Sequence, residues 1–128
     1  MVNKRKVMLI DDEEDFVKIT KLNLENTGKF EVVALSSAKE VISHLHSFKP
    51  DIILLDLLMP GIGGIEVCEM MNNDPVGQEV PVIILSALNK NSDKAIAFGK
   101  GVVDYLVKPV GKDELIASIE KALQSKYG

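Results

Sequence analysis

Five short apolar runs, at residues 6–10, 31–35, 51–55, 80–85 and 103–107, recur along the chain, and each is followed by a stretch with helical periodicity. This alternation constrains the fold more than any other feature, because strands interleaved with helices build a parallel sheet. Ile52-Ile53-Leu54-Leu55 and Val82-Ile83-Ile84-Leu85 are apolar on successive residues, as strands covered on both faces must be, and are predicted to form the centre. The helical stretches carry single apolar stripes: Val41, Ile42 and Leu45 in the second, and Leu115, Ile116, Ile119, Ala122 and Leu123 in the last. Asp113 and Glu114 mark the first turn of that last helix, where acidic side chains favour the positive end of its dipole. Asn26-Thr27-Gly28, Asn72-Asn73-Asp74-Pro75 and Gly99-Lys100-Gly101 read as helix ends and turns, none long enough to link two domains.

Composition narrows the function classes. A chain of 128 residues, 46% of them hydrophobic, is sized for one packed unit. The formal charge is −4, and the one short basic run, Lys4-Arg5-Lys6, reads as a solvated segment ahead of a strand, so nucleic-acid binding is not expected. Cys68 has no partner for an internal disulfide, and in Ile65-Glu66-Val67-Cys68 it lies on the apolar side of a helix, where a buried structural thiol is expected. Nothing approaches the length of a membrane span and the start lacks a signal-peptide core; the expected location is cytoplasmic, without membrane contact.

In open parallel α/β sheets, ligands gather at the carboxyl ends of the strands. The first run ends in Asp11-Asp12, the third in Asp56, the fourth in Ser86 and the fifth in Lys108-Pro109; only the second delivers nothing polar and reactive. Three carboxylates in one cleft repel one another unless a cation joins them. Magnesium favours oxygen ligands and commonly bridges carboxylates to phosphate; with it and the Lys108 ammonium the cluster is neutral. Such a site suits phosphoryl transfer, where catalysis is mostly positioning and charge neutralisation. Asp56 would be the nucleophile, needing no general base when ionised, with Lys108 and Ser86 holding the phosphoryl oxygens.

These residues resemble the receiver domains of bacterial two-component response regulators over nearly the whole chain. Leu9-Ile10-Asp11-Asp12-Glu13 is similar to the family's acidic-pair segment, Leu55-Asp56-Leu57-Leu58-Met59-Pro60-Gly61 to its phosphoacceptor segment, Leu85-Ser86-Ala87 to its hydroxyl segment, and Asp104-Tyr105-Leu106-Val107-Lys108-Pro109 to its lysine segment. The resemblance implies a flavodoxin-like (βα)5 sheet in the order 2-1-3-4-5. It implies that Asp56 accepts a phosphoryl group from a histidine kinase or phosphotransfer protein. Asp12 would bind Mg2+ directly, joined by Asp56 and the backbone carbonyl of Leu58, while Asp11 acts mainly through water. Ser86 and Lys108 would contact the phosphoryl group, the Lys108–Pro109 peptide would be cis, and the Tyr105 ring would turn inward as Ser86 moves. A downstream protein or a second copy would bind the surface of the fourth helix, fifth strand and fifth helix, around Val103, Tyr105, Val107 and residues 90–100. The chain stops after the fifth helical stretch at Lys126-Tyr127-Gly128, so one receiver unit over residues 1–128 without an output domain is expected. Its role would be to assist its own phosphorylation and dephosphorylation rather than to turn over a substrate.

Departures from the family pattern carry expectations of their own. Gly63 replaces the usual Asp or Asn and deprives the third helix of a side-chain cap. Val110, Val102 and Val103 alter the partner surface. Leu58 and Leu88, apolar beside the acceptor, suggest slow self-dephosphorylation. Asp11, Asp12 and Glu13 could alternatively only cap the first helix, and Tyr105 could only pack. His44 and His46, two apart on a helix, do not share a face and read as surface residues; Met70 and Met71 read as core or partial surface. Two other functions use the same residues. A magnesium-dependent phosphohydrolase would require its second Asp two residues after the first, where this chain has Glu13; a phosphorylation-independent scaffold would tend to lose the acceptor or the lysine, and both are present.

Overall fold

The computed structural model describes residues 3–128. In chain order it contains β1 (Arg5–Ile10), α1 (Glu14–Glu25), β2 (Phe30–Leu35), a 3-10 turn (Ala38–Glu40), α2 (Val41–Phe48), β3 (Ile52–Leu55), α3 (Gly64–Asn72), a second 3-10 turn (Gly77–Glu79), β4 (Val82–Ser86), α4 (Asn91–Gly99), β5 (Asp104–Val107) and α5 (Lys112–Tyr127). All strand pairs are parallel and the order is β2-β1-β3-β4-β5, the flavodoxin-like order expected.

Strand side chains alternate between faces, and this alternation divides the core in two. Met8, Ile10, Ile53, Leu55 and Ile84 meet Val41 and Leu45 of α2, Val67, Cys68 and Met71 of α3, and Ala97 of α4. Val7, Leu9, Ile52, Leu54, Ile83 and Leu85 meet Leu24 of α1 and Leu115, Ile119 and Leu123 of α5. The sheet is therefore covered by α2, α3 and α4 on one face and by α1 and α5 on the other. Full burial of a Leu or Ile side chain contributes about 1.5–3 kcal/mol, so these layers dominate the fold's stability. Among the described residues, no helix is long and apolar enough to cross a membrane.

Boundaries differ from the sequence expectation chiefly at β4. The apolar run begins at Val80, yet the strand starts at Val82. Val80 closes the second 3-10 turn through its N–H to the Gly77 carbonyl, and Pro81, which has no N–H, serves β3 only as an acceptor for Ile53. Gly63 takes the N-cap position of α3 without a side-chain bond, as expected. Gly64 has a stronger reason to be glycine: a Cβ there would lie 2.5 Å from the Asp56 carbonyl oxygen and 2.7 Å from Leu57 Cα. The start of α3 thus presses directly on the backbone that carries Asp56.

Candidate functional site

Register brings the polar residues together. Ile10 is paired with Leu55 at the ends of β1 and β3, so the next residues, Asp11 and Asp56, leave the sheet side by side. The Asp56 N–H donates to the Ile10 carbonyl at 3.0 Å and the Asp11 N–H to the Leu35 carbonyl at 3.0 Å, extending the ladder one residue past the strands. Ser86 pairs with Val107 at the ends of β4 and β5, and the Lys108 N–H donates to the Ser86 carbonyl at 2.8 Å. Four loops thereby converge on one cleft.

Asp11, Asp12 and Asp56 each place a carboxylate oxygen within 4.8 Å of the others. Asp11 and Asp56 are buried, at 1% and 3% exposure, whereas Asp12 faces solvent. Lys108 reaches into this group from β5: its Nζ donates to Asp11 Oδ2 at 2.7 Å, to Glu13 Oε1 at 2.7 Å and, more distantly, to Asp56 Oδ2 at 3.4 Å. The second oxygen of each buried carboxylate accepts from backbone. Asp11 Oδ1 accepts the Glu13 N–H and Asp56 Oδ1 the Leu58 N–H, both at 3.0 Å. Burial raises the Asp11 carboxyl above its ordinary value, outweighing the hydrogen bonds from Lys108 and Glu13. Burial alone would lower the Lys108 ammonium, but its bonds to Asp11 and Glu13 and the field of Asp56 prevail and raise it.

Ser86 is fully buried, and its hydroxyl oxygen accepts the Leu88 N–H at 3.3 Å. The Leu88 carbonyl accepts from the Tyr105 hydroxyl at 2.7 Å, and the Tyr105 ring, expected to turn inward only as Ser86 moves, is already inward at 8% exposure, held there by this bond while Ser86 still accepts the Leu88 N–H. The Leu58 side chain is 51% exposed at the rim. The Lys108–Pro109 peptide is cis. His44 and His46 engage different partners, the Glu40 carbonyl at 3.0 Å and Asp74 Oδ2 at 2.8 Å.

Two contacts of Lys108 escape the sequence reading. Glu13 occupies the N-cap position of α1 but makes no side-chain cap bond; its carboxylate goes to Lys108 instead. Phe16 lies under the same ammonium, with Nζ 4.2 Å from its ring centroid. A lysine 95 positions away from Glu13 leaves no local signal in the sequence for either contact. The oxygen-only donor set of the three aspartates, near a cleft rim, suits a hard cation such as magnesium better than a softer metal.

The sequence model of the response regulator receiver domain matches residues 7–120. The alkaline phosphatase synthesis transcriptional regulatory protein PhoP of Bacillus subtilis (strain 168) is 32% identical over 120 residues, which are 94% of this chain and 49% of that protein. The chain therefore spans about half the length of that relative. Among solved structures, the receiver domain of Francisella response regulator 1452 is 29% identical with a TM-score of 0.87, covering 95% of this chain and 98% of that one. A two-component response regulator from Clostridium difficile has the same fold, with a TM-score of 0.90 at 24% identity, covering 98% of this chain and all of that one. With its strand order, its acidic cleft and a family match running from β1 into α5, the chain belongs to the response regulator receiver domain family.

Proposed function

We propose that this domain is a phosphorylation switch in which Asp56 accepts a phosphoryl group from the phosphohistidine of a histidine kinase or phosphotransfer protein. The observation that carries the reading is the position of Lys108, whose ammonium stands among Asp11, Glu13 and Asp56 at the carboxyl edge of the sheet. An Asp56 carboxylate oxygen forms the new P–O bond as the P–N bond of the donor breaks, and the imidazole leaves. The carboxylate is already oriented by the Leu58 N–H, so no general base is required. Asp11, Asp12, Asp56 and the Leu58 carbonyl would hold Mg2+, which neutralises charge on the phosphoryl oxygens when bound. Lys108 donates to a second phosphoryl oxygen, and the Ser86 hydroxyl to a third. The chain assists its own phosphorylation and dephosphorylation and turns over no other substrate; the apolar Leu58 and Leu88 favour a long-lived adduct.

Output follows from the chain Ser86, Leu88, Tyr105. A Ser86 hydroxyl drawn toward the phosphoryl group gives up the Leu88 N–H, and Leu88 is the residue whose carbonyl anchors Tyr105. The new bonds bias two arrangements of the α4–β5–α5 surface, where Ile96, Phe98 and Val103 are about half exposed. A downstream protein or a second copy binds there. Exchange with a histidine kinase's phosphohistidine places this switch in the cytoplasm, beside the kinase.

The test is intact mass after incubation with a small acyl phosphate, with and without magnesium, beside Asp56→Asn. A single magnesium-dependent phosphoryl adduct, absent from the variant, is the expected result. No adduct on folded protein would favour a phosphorylation-independent scaffold, and steady release of phosphate from simple esters a phosphohydrolase.

A further inference from the structure

We infer that Glu13 is a positioning residue that parks Lys108 away from Asp56 and so sets how readily Asp56 is phosphorylated; the inference deepens the phosphoacceptor reading and rests on it. An ammonium has three N–H donors. Here two are committed at 2.7 Å, to Asp11 and Glu13, and the contact with Asp56 is stretched to 3.4 Å. The lysine is thus held toward the α1 side of the cleft, over the Phe16 ring, rather than centred on the acceptor.

The two short bonds differ in kind. The Asp11 carboxylate is fully buried and tied to backbone through the Glu13 N–H, so it is a fixed partner. The Glu13 side chain is 61% exposed and makes no cap bond, so water can replace its bond to Lys108 at little cost. Glu13 is therefore the partner that yields when the ammonium swings from the α1 side of the cleft toward a phosphoryl oxygen on Asp56. Until then it competes with that oxygen for the same ammonium. Losing Glu13 should free the lysine, and the gain should depend on Lys108 being there. A general charge effect at the rim would behave otherwise: it would persist without Lys108 and would follow removal of any nearby carboxylate, such as the exposed Glu14.

The experiment measures adduct formation from a small acyl phosphate in magnesium for the unmutated chain, Glu13→Gln, Glu14→Gln, Lys108→Ala and the Glu13→Gln, Lys108→Ala double variant. Glu13→Gln should raise the rate about two- to fivefold, the worth of an exposed ion pair. Glu14→Gln should leave it unchanged, and the double variant should match Lys108→Ala. A second readout needs no donor: the 15N resonance of the Lys108 amine should move on Glu13→Gln and stay on Glu14→Gln. An unmoved resonance, an unchanged rate, or an equal gain in Glu14→Gln or in the Lys108→Ala background would overturn the inference while leaving Asp56 as acceptor. Loss of any Asp56-dependent adduct in the unmutated chain, with the resonance still moving, would instead overturn the phosphoacceptor reading and with it the control assigned to Glu13.

Discussion

The Tyr105 hydroxyl donates to the Leu88 carbonyl at 2.7 Å, tying the centre of β5 to the loop that leaves Ser86 and enters α4. The phenol is raised above its ordinary value by burial, so it stays protonated and able to donate throughout the physiological range. This bond joins the chemical edge of the sheet to the surface proposed for output.

Tyr105→Phe keeps the ring's packing and deletes only the bond. It should lower stability by about 1 kcal/mol, read by urea unfolding. Tyr105→Ala also opens a cavity and should cost about 3–5 kcal/mol, as for other large aromatic truncations. Neither residue change touches Asp56, so the magnesium-dependent adduct should form at an unchanged rate in the Phe variant while partner binding weakens. Loss of both would assign Tyr105 to the chemistry rather than to the relay.

Gly63 and Gly64 should respond oppositely to a side chain. Gly63 has φ −79° and ψ 169°, and a Cβ would meet nothing nearer than 3.6 Å. Gly63→Asn supplies the missing cap and should stabilise the domain by about 0.5–1 kcal/mol. Gly64→Ala forces a methyl against the Asp56 carbonyl, 2.5 Å away, and should cost about 1–3 kcal/mol. Because the strain falls on the peptide of Asp56, the proposed acceptor, that variant should also form the adduct more slowly. Denaturant midpoints and intact mass on the pair decide both points.

What was legible in the sequence follows the range of the interactions. Ile52–Leu55 and Val82–Leu85 declared themselves central because both faces of those strands are covered, and every one of their side chains is buried. Asp11, Asp12, Asp56, Ser86 and Lys108 stood out because strand ends meet at one edge, a property of topology that local periodicity reveals. The start of β4 was misplaced because hydrophobicity does not register the donor that Pro81 lacks. The sequence places Glu13 in the acidic segment and allows it as a cap, but not its bond to Lys108, which is set by tertiary geometry. Gly64 carries no signal in the sequence, because what demands a glycine there is the Asp56 backbone packed against it, a tertiary contact.

Burial pushes the Cys68 thiol up to about 11, and the residue is 2% exposed in α3. The thiolate is the reactive form, so the native protein should resist a water-soluble disulfide reagent at mildly alkaline pH. Reaction should require opening of the α3 layer, its rate rising with urea in step with unfolding. Prompt labelling in the native state would mean that α3 opens locally, far more readily than the rest of the core.

Burial holds the Asp11 carboxyl above its ordinary value of 3.8 despite the Lys108 bond, and this sets a sign for stability against pH. A carboxyl raised by folding binds its proton more tightly in the native than in the unfolded chain. Stability then falls as pH rises from the ordinary carboxylate value through the raised one, and the loss persists at neutral pH. Asp11→Asn removes the titrating group while keeping its shape, and Lys108 retains Glu13 and Asp56. In the presence of a chelator the variant should therefore melt higher than the unmutated chain at neutral pH. The difference should shrink as pH falls below the carboxylate range, where Asp11 is protonated in both states. Magnesium should narrow the gap at neutral pH by stabilising the unmutated chain more, since ligand binding to the native state adds to its stability. Thermal unfolding across the acid-to-neutral range, with and without magnesium, measures all three effects. A variant that melts lower at neutral pH would show that the Lys108–Asp11 bond outweighs the burial of its charge.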